Sequence, residues 1–178
     1  MKRILFSLMI LAVLTSCIGG FYEFMAARYV KPDEARRYKP KGALVFGTID
    51  KENAPFVSLV YFMIRDSQDV TLSINQDFTF FVFDVGRNAK GFTRIGMRYY
   101  AFGTDFWINK DLNFNLEENK LNYLGRFIFY QKDILKTYRM VWTNLIEEDV
   151  KNLGDFYPDL TNMEVKPVEI KEGMYYLY

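Results

Sequence analysis

The run Val70-Thr71-Leu72-Ser73-Ile74-Asn75-Gln76-Asp77-Phe78-Thr79-Phe80-Phe81-Val82-Phe83-Asp84-Val85 decides the fold class. Val70, Leu72 and Ile74 alternate with Thr71, Ser73 and Asn75, so a strand there puts its apolar side chains on one face. Asn75-Gln76-Asp77 supplies turn chemistry, and residues 78–85 follow as an aromatic-rich strand. Two such runs across a short polar turn predict a β-hairpin.

The same pattern extends in both directions. Upstream, residues 43–49 form a strand with Gly47 inside it. Residues 56–64 are apolar at both parities, which predicts a strand covered on both faces. Downstream, Thr93, Ile95, Met97, Tyr99 and Ala101 share one side of a strand, with Arg94, Arg98 and Tyr100 on the other. Leu112, Phe114 and Leu116 alternate with asparagines, residues 117–120 turn, and residues 121–129 run on as a strand, predicting a second hairpin. Residues 138–142 close this series. The period then changes. Asn144 and Glu147 have capping-box spacing, Ile146, Val150 and Leu153 keep helical spacing, and Gly154 predicts the stop. One or two final strands are expected within residues 165–178. About eight alternating strands and one short helix in the C-terminal third predict a mainly β protein, an antiparallel β-sandwich. A lipocalin-like β-barrel is the alternative. The Gly-x-Trp opening of that class is missing, since the first strand begins Gly42-Ala43-Leu44.

Composition narrows the chemistry. The 178 residues include 17 Phe, 13 Tyr and 2 Trp, no His and a single Cys. Without histidine there is no Ser-His-Asp or Cys-His system, no His-ligated metal and no imidazole general base. The glycine spacing gives neither a P-loop nor a dinucleotide fingerprint. Asp111-Leu112-Asn113-Phe114-Asn115 begins like a calcium loop, but the position that needs Gly for the sharp turn is Leu116. Adjacent Glu117 and Glu118 point apart on a strand or turn, so they do not face one substrate. The residues predict no catalytic site, no metal and no cofactor. The near-balanced charge, 23 basic against 22 acidic residues, gives no footprint for nucleic acid. Arg94, Arg98 and Tyr100 are the candidate contacts for a ligand or partner, a paired cation site beside an aromatic ring. The competing reading has the arginines stacked on neighbouring tyrosines.

The first residues carry the clearest motif. Lys2 and Arg3 precede an apolar run over residues 4–14, followed by Thr15, Ser16 and Cys17. Positive charge, a short apolar stretch and small residues in that order describe a secretory signal peptide, too short to span a bilayer. Leu14-Thr15-Ser16-Cys17 resembles the lipobox of bacterial lipoproteins. The resemblance implies cleavage before Cys17 and a diacylglyceryl or acyl lipid on its thiol, with Leu14, Thr15 and Ser16 as the signal-peptidase recognition residues. It implies a cell-envelope location with the membrane as partner through the lipid anchor. In Gram-negative sorting, Ile18, where an aspartate is associated with inner-membrane retention, favours the outer membrane. The expected organisation is a signal peptide over 1–16, a lipidated tether over 17–41 and one β-sandwich domain over 42–178. Tyr123-Leu124-Gly125 and Gly173-Met174-Tyr175-Tyr176 resemble strands of small envelope lipoproteins with transthyretin- or immunoglobulin-like sandwiches. The function expected is non-enzymatic, a structural or protein-interaction module with an envelope protein as its possible partner. The alternative is a carrier holding a small apolar ligand, a lipid, in an aromatic-lined cavity.

Overall fold

The computed structural model describes residues 28–66, 69–86, 91–99, 104–113, 115–131, 138–169 and 172–177. Its strands are β1 (Arg28–Tyr29), β2 (Leu44–Asp50), β3 (Val57–Ile64), β4 (Val70–Ser73), β5 (Phe78–Asp84), β6 (Gly91–Tyr99), β7 (Thr104–Asn113), β8 (Leu121–Gln131) and β9 (Tyr138–Thr143). Helix α1 (Ile146–Phe156) follows, then β10 (Val165–Pro167) and β11 (Gly173–Leu177). One sheet has seven strands in the order β1-β5-β2-β8-β9-β11, with β10 beside the start of β8; the other has four, β4-β3-β6-β7. The two open sheets make a mainly β sandwich, with one α-helix among the described residues, and not a closed barrel.

The strands fall largely where alternation puts them, but both expected hairpins are absent. β4 pairs with β3, while β5 pairs with β2 in the other sheet, so the Asn75-Gln76-Asp77 turn carries the chain from one layer to the other. Likewise β7 pairs with β6, and the turn over residues 117–120 leads into β8 of the seven-stranded sheet. The sheet is also mixed rather than wholly antiparallel. β2 and β8 run parallel, as do β10 and β8. The physical reason is the long excursion between β2 and β8: parallel neighbours need a crossover, and here the four-stranded sheet and β5 supply it.

Between the sheets the core is built from phenylalanines. Phe62 of β3 lies 5.2 Å from the ring centre of Phe81, 5.6 Å from Phe83, 5.2 Å from Phe92 and 5.4 Å from Phe127. These tilted and edge-on distances are those favoured by the ring quadrupole. Trp142 stacks on Phe127 at 5.3 Å and donates its indole N–H to the Leu124 carbonyl at 2.6 Å, so its polar atom is satisfied within the layer.

The other face of the seven-stranded sheet is covered by α1, two 3-10 turns (Ala35–Arg37 and Pro158–Leu160) and the segment entering β2. Leu44, Phe46, Phe80, Val82, Leu121 and Tyr123 pack there against Val30, Ala35, Leu153, Tyr157 and Leu160. Packing therefore begins before the expected boundary at Gly42. β1 pairs with β5, Val30 is fully buried, and the Tyr157 hydroxyl donates to the Val30 carbonyl at 3.0 Å. Asp84 fastens the rest of this segment, accepting from the Tyr38 hydroxyl at 2.9 Å and the Lys41 amide at 2.6 Å. At the helix start Asn144 accepts from the Ile146 amide at 3.2 Å, but Glu172 rather than Glu147 takes the Asn144 amide, at 2.7 Å. Gly154 lies inside α1, which runs on to Phe156.

Candidate functional site

Leu14, Thr15, Ser16, Cys17 and Tyr100 lie outside the described residues. The two described candidates are on the outward face of β6. Arg98 is bidentate on Asp105 of β7, Nε to Oδ1 at 2.7 Å and an Nη to Oδ2 at 2.9 Å. Its guanidinium carbon sits 5.6 Å from the centre of the Tyr61 ring, whose hydroxyl donates to Asp105 at 3.3 Å. The Arg98 bonds hold the Asp105 carboxyl below its ordinary range and, in return, raise the guanidinium. Arg94 is exposed two pleat repeats along the strand, about 13 Å away. Gly96 stands between the two, and the Trp107 ring lies on it: a Cβ at Gly96 would be 2.4 Å from the indole. Trp107 also stacks on Tyr61 at 5.4 Å. The structure thus brings Arg98 together with Asp105, Tyr61 and Trp107, and keeps it apart from Arg94. Arg98 is stacked on a tyrosine and its charge is paired with Asp105.

A second constellation, which sequence reasoning missed, lies under α1. Gly125 adopts φ 97° and forms a bulge in β8: along β2, Phe46 pairs with Tyr123 and Thr48 with Arg126, so Gly47 alone faces two residues. Without that extra residue, alternation would aim Arg126 into the phenylalanine core. With it, Leu124 and Phe127 both face the core, and Arg126 turns to the helix side. There the fully buried Asp149 of α1 receives the Arg126 guanidinium on one oxygen. Its other oxygen accepts from the Tyr123 hydroxyl at 2.6 Å and from Thr48 at 3.0 Å. Arg126 also reaches Glu148 at 2.9 Å and lies over the Phe78 ring. Burial disfavours the guanidinium charge, but the bonds from Asp149 and Glu148 outweigh it and leave Arg126 more firmly protonated than usual. Burial, then the Asp149 bond, pushes the Tyr123 phenol well above its ordinary range. Every oxygen of Asp149 is engaged and none meets solvent. The group is a clasp between sheet and helix, not a reactive centre. Its signal was present in the sequence as opposite charges at two apolar positions: Asp149, one turn from Ile146 and Leu153, and Arg126 within an otherwise apolar strand.

Glu117 pairs with Lys120 at 2.9 Å and Lys166 at 3.0 Å, bonds that lower its carboxyl below the usual value. Asp111 and Asn113 belong to β7, as alternation rather than a calcium loop requires. An open hollow of about 380 Å³ lies at the amino end of α1, lined by residues 144–148. Among the described residues no cluster of three or more His, Cys, Asp or Glu is arranged to hold a metal. Comparison with protein families, with curated proteins and with solved structures gives no match.

Proposed function

We propose that this chain is a lipoprotein of the bacterial cell envelope, anchored through acyl lipid on Cys17, whose β-sandwich acts as a non-enzymatic interaction module. The observation that carries the reading is the N-terminal order of Lys2-Arg3, an apolar stretch and Leu14-Thr15-Ser16-Cys17, with Cys17 the sole cysteine. A thiol that has no partner for a disulfide in an oxidising compartment is well suited to attachment. The outer membrane is the favoured location because Ile18 follows the cysteine. The partner we assign is another envelope protein. Of the two arginines, Arg94 is the one placed to meet it, since Arg98 is committed to Asp105.

The carrier reading has less support. A ligand of drug or lipid size needs an enclosed volume of about 300 Å³ or more. Here the space between the sheets around Phe62 is filled by rings 5.2–5.6 Å apart. Metabolic labelling with a clickable palmitate tests the anchor: the wild-type chain takes up label and Cys17→Ala does not. Equal labelling of both would remove the lipoprotein assignment. A photocrosslinker at position 94, used in intact envelopes, tests the module: it captures a defined envelope protein, whereas a crosslinker at Lys151 on the helix does not.

A further inference from the structure

How the domain lies on its membrane is constrained by the first described residues. The sequence alone suggests a tether of about twenty-five residues after Cys17. Because β1 begins at Arg28 and pairs with β5, only residues 18–27 lie between the anchor and the fold. Ten residues span at most about 35 Å even when fully extended. The segment that meets the end of this short tether, residues 28–41, carries six basic residues and two acidic ones, Asp33 and Glu34. Arg28 is tied to Glu34 at 2.9 Å, whereas Lys31, Arg36, Arg37 and Lys39 are exposed. They are displayed on a fixed framework rather than on a loose linker, since Val30 and Ala35 are buried between them and Tyr38 is held by Asp84.

Resting on the lipoprotein reading, we propose that the surface of Lys31, Arg36, Arg37 and Lys39 lies against the anionic headgroups of the membrane that holds the anchor. Basic residues close to an anionic bilayer are attracted within a Debye length of about 8 Å, and each multiplies occupancy roughly five-fold. A diacylglyceryl anchor already holds the chain at the bilayer, so the basic surface would set the orientation of the domain rather than its attachment. The resulting pose sets the β1 edge of the seven-stranded sheet toward the membrane.

The test uses the full lipidated chain, extracted from envelopes and reconstituted into vesicles of zwitterionic phospholipid alone or with added phosphatidylglycerol. A water-soluble amine-acylating reagent then labels exposed lysines, and mass spectrometry compares Lys31 and Lys39 with Lys151 on α1. On anionic vesicles, labelling of Lys31 and Lys39 relative to Lys151 falls at least about five-fold. It recovers in high salt, and Arg36→Glu/Arg37→Glu abolishes the protection. Equal labelling on both vesicle types, or protection unaffected by salt or by the double substitution, overturns the inference. Flotation separates the two readings. A chain that floats with both vesicle types but shows no protection keeps the anchor and loses the basic surface; a chain that does not float loses both.

Discussion

One face of the seven-stranded sheet packs on β3, β4, β6 and β7 through phenylalanine rings, and the polar atom of its one tryptophan is satisfied internally. The opposite face is covered by α1 and the residues leading into β2, and it buries a guanidinium, a carboxylate, a phenol and a threonine hydroxyl in one network. Both are dry, yet they do different work. The ring layer gains from area and dispersion, which are not directional and tolerate small shifts. The network gains little net free energy from pairing, because desolvation consumes most of the Coulombic attraction. What it contributes is position: Asp149 fits in one place on the sheet, so α1 has one docking pose.

The largest expected effect is in the ring layer. Phe62→Ala removes the ring around which four others pack, and should destabilise the fold by about 4 kcal/mol, read from the midpoint of chemical denaturation with its slope unchanged. Asp149→Ala should cost about 3 kcal/mol, since it takes the buried partner from Arg126 and leaves the guanidinium only the exposed Glu148. The pair distinguishes the layers: Arg126→Met/Asp149→Leu should recover most of that loss, whereas no companion substitution rescues Phe62→Ala without refilling the same volume. If the double variant is as unstable as Asp149→Ala, the network is more than a positioning device.

Gly125→Ala lies between the two layers. At φ 97° a side chain is strained by about 2 kcal/mol, and relief by straightening the bulge would turn Arg126 into the phenylalanine core. Loss of near-ultraviolet dichroism from Trp142 alongside loss of stability would show that both layers feel the change. Alkaline pH gives the smallest and most selective break. Tyr123 and Tyr157 have folded pKa values raised above the free phenol, chiefly by burial. Their neutral forms are therefore favoured by folding, and the stability they contribute is complete below about pH 10 and lost as pH rises through the folded values. Tyr123→Phe should cost about 1 kcal/mol at neutral pH and flatten the decline above pH 10, measured by denaturation midpoints across that range.

How far the sequence announced this arrangement differs between the layers for the same reason. Alternation reports which side of a strand is apolar, and Val70, Leu72 and Ile74 do face the core. It does not report the partner strand. A run followed by a turn and another run reads as a hairpin whether the chain pairs locally or crosses to the facing sheet, because the buried side chains are the same in both. That is why the turns after β4 and β7 were legible as turns and not as crossings. The clasp was hidden by a parity shift: until Gly125 is recognised as a bulge, Arg126 falls on the wrong face and has no reason to meet Asp149. The start of the fold was hidden by dilution, with Val30 and Ala35 spaced among six basic residues in a stretch that reads as linker. Of the candidate contacts, Arg98 was placed beside a tyrosine as expected, but Asp105, the residue that neutralises it, comes from the next strand and was visible only once β6 and β7 paired.

On the proposed reading both layers belong to a body held at a membrane by Cys17, so the attachment is the first thing to test. Intact-mass and N-terminal fragment analysis of the chain extracted from bacterial envelopes tests this most directly. The expected chain begins at Cys17 and carries the mass of a diacylglyceryl group, with or without a further acyl chain, on its first residue. A chain that retains Met1 and an unmodified Cys17 would contradict it.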